Sequence, residues 1–129
     1  MSKTPTNSNF SQIEKIAIES VKMASKYVSS RFGTNLSIKS KSGNPGQDLV
    51  SDVDKKSQEI IKNIVSENFP EHYFLGEEDE NIYNPSTDWI WAVDPIDGTN
   101  NFVNNSLQYA ISVGVLYRGI PVIGVVWVP

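Results

Sequence analysis

A mixed α+β fold is predicted, with two N-terminal helices packed on a mainly antiparallel sheet. Apolar residues at helical spacing dominate the first half of the chain, and apolar runs of strand length dominate the second. The two kinds do not alternate, which argues against a doubly wound parallel fold. At 129 residues the chain is long enough for one core.

Residues 1–9 are polar and read as a disordered lead. Ser11 with Glu14 three residues later forms a capping-box pattern, after which Ile13, Ile16, Ala17, Val21, Ala24, Tyr27 and Val28 recur at helical spacing. Gly33 stops this helix after Arg31. Residues 34–47, with Lys39, Lys41, Gly43, Pro45 and Gly46, read as a polar loop. Ser51, Asp52 and Asp54 then open a second helix with Ile60, Ile61, Ile64 and Val65 on its apolar face and Pro70 as terminator. Tyr73 to Leu75 suit a short strand, and residues 81–88 a connector. Trp89 to Val93 has the continuous apolar character of a buried strand. Tyr109 to Tyr117 and Ile120 to Val128 read as two strands joined at Arg118-Gly119. The last strand is apolar with no polar tail, from which an incomplete chain is expected, with the exposed edge open to pairing in a homodimer or with another chain.

Bulk properties narrow the function classes. Eleven Lys and Arg against fifteen Asp and Glu give a net charge of -4, with no basic cluster suited to a nucleic-acid polymer. No apolar run approaches the roughly 20 residues of a membrane helix and no signal-peptide core opens the chain, so a cytoplasmic protein is expected. The absence of cysteine leaves oxygen ligands or the single His72 to hold any metal, which favours hard cations.

The segment WIWAVDPIDGTNNF, residues 89–102, concentrates the chemistry. Asp94-Pro95-Ile96-Asp97 has the composition of a type I turn, which would let the two carboxylates converge. Two carboxylates about 4 Å apart repel by roughly 4 kcal/mol at an effective dielectric of about 20, so the arrangement calls for a divalent cation or the loss of a charge. The Ile96 carbonyl is a candidate third oxygen ligand. Gly98 and Thr99 open a helical turn whose amides suit a phosphate. Asp-Pro and Asp-Gly are also ordinary turn dipeptides, and it is their combination after a buried strand that favours a site. Haloacid dehalogenase-type phosphotransferases carry D-x-D-G-T, but Pro95 occupies the nucleophile's position here. No Walker or dinucleotide loop is present. Glu77 and Glu78 follow a short strand and fit either a solvated charge run or a position beside the Asp94 segment. Asp54 fits a helix cap equally well, and His72 reads as a surface residue.

DLVSDVD, FLGEED and WAVDPIDGTNNF occur in an order and spacing that resembles the inositol monophosphatase family, within the lithium-sensitive, magnesium-dependent sugar phosphatase superfamily. The third segment is the most specific. The resemblance runs from the first helix to Pro129 and corresponds to the N-terminal half of a typical member. It implies that residues 10–129 form the metal-binding N-terminal half of a layered αβαβα fold, the C-terminal half being absent. It further implies that Glu77, Asp94 and the Ile96 carbonyl hold one magnesium ion, that Asp94 bridges to a second bound by Asp97, and that Glu77 helps place a third. Glu77, Asp97, Gly98 and Thr99 would contact the phosphate, with Glu78 in support, while Thr99 and Asp54 activate the attacking water. The activity implied is phosphomonoester hydrolysis of a small sugar or inositol phosphate by metal-activated water, without a covalent intermediate. A further metal ligand and much of the substrate pocket belong to the half not present, so the isolated chain is expected to be weak or inactive. The same motif is similar to that of fructose 1,6-bisphosphate and 3′-phosphoadenosine-nucleotide phosphatases. A non-catalytic binding or assembly fragment is the remaining alternative.

Overall fold

Thr6 starts the first helix by a reciprocal cap, its hydroxyl accepting from the Asn9 amide while the Asn9 side chain accepts from the Thr6 N–H. The computed structural model describes residues 5–40, 49–77 and 87–129. Helix α1 therefore spans Asn7–Arg31, so residues 7–9 of the expected lead are helical and the Ser11/Glu14 pattern lies inside the helix. Asn9 satisfies the capping geometry as well as Glu would, and its position made the earlier box harder to read.

The stripe Ile13, Ile16, Ala17, Val21, Ala24 and Val28 is buried as its spacing requires, with Gly33 in a left-handed conformation just past the helix end. Strand β1 (Ile38–Ser40) pairs antiparallel with β2 (Leu49–Ser51), a correction to the expected loop over 34–47. Three-residue strands offer too few positions for an alternating pattern, and the pairing is set by backbone bonds at the mouth of α2, such as Asp52 N–H to the Ser37 carbonyl at 2.9 Å. Lys41, Gly43, Pro45 and Gly46 lie outside the described residues.

Ser51 is the N-cap of α2 (Asp52–Asn68), which buries Val53, Asp54, Ser57, Gln58, Ile61 and Val65. Phe69 closes it, before Pro70. Strands β3 (Tyr73–Gly76), β4 (Trp89–Asp97), β5 (Ala110–Tyr117) and β6 (Ile120–Trp127) form one sheet in the order β3-β4-β5-β6. β3 runs parallel to β4, and the other neighbours are antiparallel, with β5 and β6 joined at Arg118-Gly119, both with positive φ as a tight hairpin demands. Helix α3 (Thr99–Val103) sits between β4 and β5.

One face of the sheet carries Trp91, Val93, Ile111, Val113 and Val115, which pack with α1 and α2 into a single core. Each buried Ile or Val contributes about 1.5–3 kcal/mol by removal from water. Register assigns Leu75, Ala92, Asp94, Ser112 and Gly114 to the opposite face. β6 is an edge strand, with Ile120 and Val126 exposed. No helix among the described residues is long and apolar enough to cross a membrane.

Candidate metal centre

Residues 77 and 94, seventeen positions apart in sequence, become neighbours through the parallel β3–β4 register. Gly76 pairs with Val93, and the Glu77 amide donates to the Val93 carbonyl at 3.2 Å, so Glu77 leaves β3 beside Asp94. At Gly76 a Cβ would fall onto the end of the Gln58 side chain of α2, which packs against the bare backbone there.

Asp94 to Asp97 is not the expected type I turn. β4 continues through Asp97, and an irregularity in its pairing with β5 sets Asp94 opposite Ser112 and Asp97 opposite Ala110. Three steps on β4 thus match two on β5, which is a β-bulge. In a regular strand residues three apart face opposite ways, whereas Ser112 and Ala110 share a face, so the extra residue turns Asp94 and Asp97 to the same side. The bulge supplies the convergence that a turn was invoked to give. It also accommodates Pro95, which has no amide to contribute to a ladder.

The acids carry an electrostatic conflict. Burial pushes the Asp94 carboxyl up to about 8 from an ordinary 3.8, reinforced by a hydrogen bond with the Glu77 carboxyl and by the charges of Glu77, Asp97 and Asp54. Two carboxyl groups in hydrogen contact must share a proton, since ionised carboxylates only accept. Asp94 Oδ1 is buried and has no hydrogen-bond partner. Asp94 lines a recess of about 410 Å³ together with Leu75, Gly76, Glu77, Ala92 and Ser112 among others. A shared proton and an orphaned buried oxygen are the features that a divalent cation would replace, so the donor set fits a hard metal. Glu77 and Asp97 are exposed, and among the described residues no three acidic or histidine side chains lie close enough together to hold a metal ion by themselves. The arrangement suits an open site rather than a structural one.

Asp54 both caps α2 and reaches Thr99. Its Oδ2 accepts from the Ser51 amide at 2.8 Å and the Ser51 hydroxyl at 2.6 Å, while Oδ1 accepts from the Thr99 hydroxyl at 2.7 Å. The Thr99 oxygen also lies 3.2 Å from the Ile96 carbonyl, but its single proton is committed to the shorter contact. Gly98 caps α3 in a left-handed conformation with φ 88°, and a Cβ there would lie 2.9 Å from the Gln108 carbonyl oxygen. No side chain caps the first turn of α3.

The sequence reading missed Ser57, buried with its hydroxyl donating to the Pro95 carbonyl at 2.9 Å. Its signal was its place three residues after Asp54, on the same helix face. His72 is a correction. Its side chain is only 4% exposed, stacked on Phe69 and Trp89, and its Nδ1 accepts from the Trp91 indole at 3.0 Å. Burial lowers its pKa, against a weaker pull from Glu71. It is a neutral core residue, which no local pattern announced. Glu78 lies outside the described residues.

The sequence model of the inositol monophosphatase family matches residues 9–129. The inositol-1-monophosphatase of Bacillus subtilis (strain 168) is 35% identical over 120 residues, 92% of this chain and 44% of that protein. The fold is similar to the crystal structure of extragenic suppressor protein suhB from Bartonella henselae, with a TM-score of 0.84 at 31% identity over 92% of this chain and 45% of that one. It is also similar to an IMPase/NADP phosphatase complexed with Mg2+ and phosphate, with a TM-score of 0.78 at 31% identity over 91% and 44% of the two chains. The chain thus spans less than half the length of each of these relatives. With a match over nearly its whole length and the same arrangement of helices on a sheet, this chain belongs to the inositol monophosphatase family.

Proposed function

We propose that the chain is the metal-binding part of a magnesium-dependent phosphomonoesterase acting on a small sugar or inositol phosphate. The observation that carries this reading is the buried, unpartnered Asp94 Oδ1 beside Glu77, a pair that holds a proton for want of a cation. Glu77, Asp94, the Ile96 carbonyl and Asp97 would hold Mg2+, in keeping with the Mg2+ and phosphate in one solved relative. When bound, the metal supplies positive charge for the phosphoryl oxygens and acidifies the attacking water.

The chain's own groups supply the rest. Thr99 gives its proton to Asp54 Oδ1, which leaves its oxygen lone pairs free to accept a proton from the attacking water, with Asp54 as the acceptor behind it. The three hydrogen bonds on Asp54 fix that carboxylate in orientation. Gly98 and Thr99 amides, left without a side-chain cap, are assigned to the phosphate. Asp97 and Glu77, at the open side, face the bound ester.

The test is phosphate release from inositol monophosphate, fructose 1,6-bisphosphate and a 3′-phosphoadenosine nucleotide, with and without Mg2+. It is run on this chain and on the chain joined to the C-terminal half of the Bacillus subtilis relative. Mg2+-dependent release by the joined protein, abolished by Asp94→Asn, is expected, and the preferred ester fixes the substrate. Metal-independent release, or release that survives Asp94→Asn, overturns the proposal.

A further inference from the structure

Helix α2 touches the acidic end of the sheet at three points on one face. Asp54 reaches Thr99, Ser57 reaches the Pro95 carbonyl, and Gln58 covers Gly76, the residue before Glu77. These positions follow i, i+3 and i+4, so one inward face of the helix grips both strands that carry the acids. Ser57 and Pro95 are both buried.

We propose that Ser57 is a positioning residue that sets the β4 bulge, and through it the ligand directions of Asp94 and the Ile96 carbonyl. The inference rests on the metal-site reading of the preceding section. The Pro95 carbonyl belongs to the peptide plane between Pro95 and Ile96, at the centre of the bulge. A planar peptide held at its oxygen cannot rotate, so the hydroxyl of Ser57 fixes the ψ of Pro95 and the φ of Ile96 together. The bulge lacks regular ladder partners at this point, and Pro95 has no amide, so the side chain does what pairing does elsewhere in β4. Loss of the hydroxyl leaves a buried carbonyl unpaired, and the plane turns to find another donor. That rotation moves the Ile96 carbonyl and changes the angle between Asp94 and Asp97.

The experiment compares Ser57→Thr with Ser57→Val in the 129-residue chain. The two replacements have nearly the same shape and differ in the hydroxyl. Mg2+ affinity is measured by calorimetry, and the amide resonances of Ile96, Asp97 and Gly98 by NMR without metal. Ser57→Val is expected to bind Mg2+ about 10-fold or more weakly, the usual consequence of losing support behind a metal ligand, while Ser57→Thr stays within about 2-fold of the parent. The three amide resonances should shift in the Val variant and hold in the Thr variant. Ile61→Val, a core change on the same helix away from the bulge, should lower stability with affinity unchanged. Equal Mg2+ affinity in the Thr and Val variants overturns the inference. If the parent takes up no Mg2+, the metal reading fails, and the NMR comparison still decides on Ser57: unshifted amides in the Val variant overturn its role in setting the bulge. Should Ser57→Val fail to fold, Ser57→Ala takes its place in the same comparison.

Discussion

Asp94 holds a proton in the folded, metal-free chain that it would lose in the unfolded one. With a native value of about 8 against an ordinary 3.8, the native state binds more protons than the unfolded state between those limits. Stability therefore falls as pH rises from about 4 to about 8, and the loss is complete above that window. On the proposed metal reading magnesium would reverse the trend, because it would take the place of the proton and bind only the native arrangement. Urea unfolding at pH 5 and pH 8 is expected to show the metal-free chain weaker at pH 8, with added Mg2+ giving the larger gain there. Asp94→Asn should abolish both the pH trend assigned to this group and the Mg2+ response. This residue was legible in the sequence as a carboxylate in tension with its neighbours, since Asp94 and Asp97 follow a buried apolar run. His72 was not legible, because the rings that bury it, Phe69, Trp89 and Trp91, come from separate elements and meet only in the folded sheet.

Among the elements, α2 and β4 do most to build the site. Ser51→Ala removes the hydroxyl that caps α2 by accepting from the Asp54 amide, and with it one of the three hydrogen bonds on the Asp54 carboxylate. The backbone bond from the Ser51 amide survives, so a loss of about 0.5–2 kcal/mol is expected by urea denaturation, the range for an N-cap. Both helices could be read from apolar spacing and β4, β5 and β6 from apolar runs of strand length, while β3 was read from its three aromatic and aliphatic residues alone. The β1–β2 pair was missed, since three residues on each side carry no usable period. The Asp-Pro-Ile-Asp stretch was misread for a different reason. Local turn chemistry and a strand bulge both favour proline and a break in pairing, and only the register with Ser112 and Ala110 separates them. Either backbone path turns the two aspartates to one side, which is why the misreading left the expected pairing of Asp94 with Asp97 unchanged.

At the scale of the whole molecule, one face of a four-stranded sheet is covered by α1 and α2, and the acids gather where β3 and β4 end in parallel. That juxtaposition could not be read from residues 73–77 and 89–97 separately, because parallel pairing depends on how the chain crosses between them. The family resemblance supplied the contact in advance, and the register of Gly76 with Val93 accounts for it physically. The central claim is that a cation belongs where the shared proton now sits. It is tested most directly by titrating Mg2+ into the metal-free chain at pH 7 by calorimetry, in two buffers of different ionisation enthalpy. The account predicts saturable uptake with release of about one proton per ion, because a carboxyl with a pKa of about 8 is still mostly protonated at that pH. No uptake, or uptake without proton release that persists in Asp94→Asn, would contradict it.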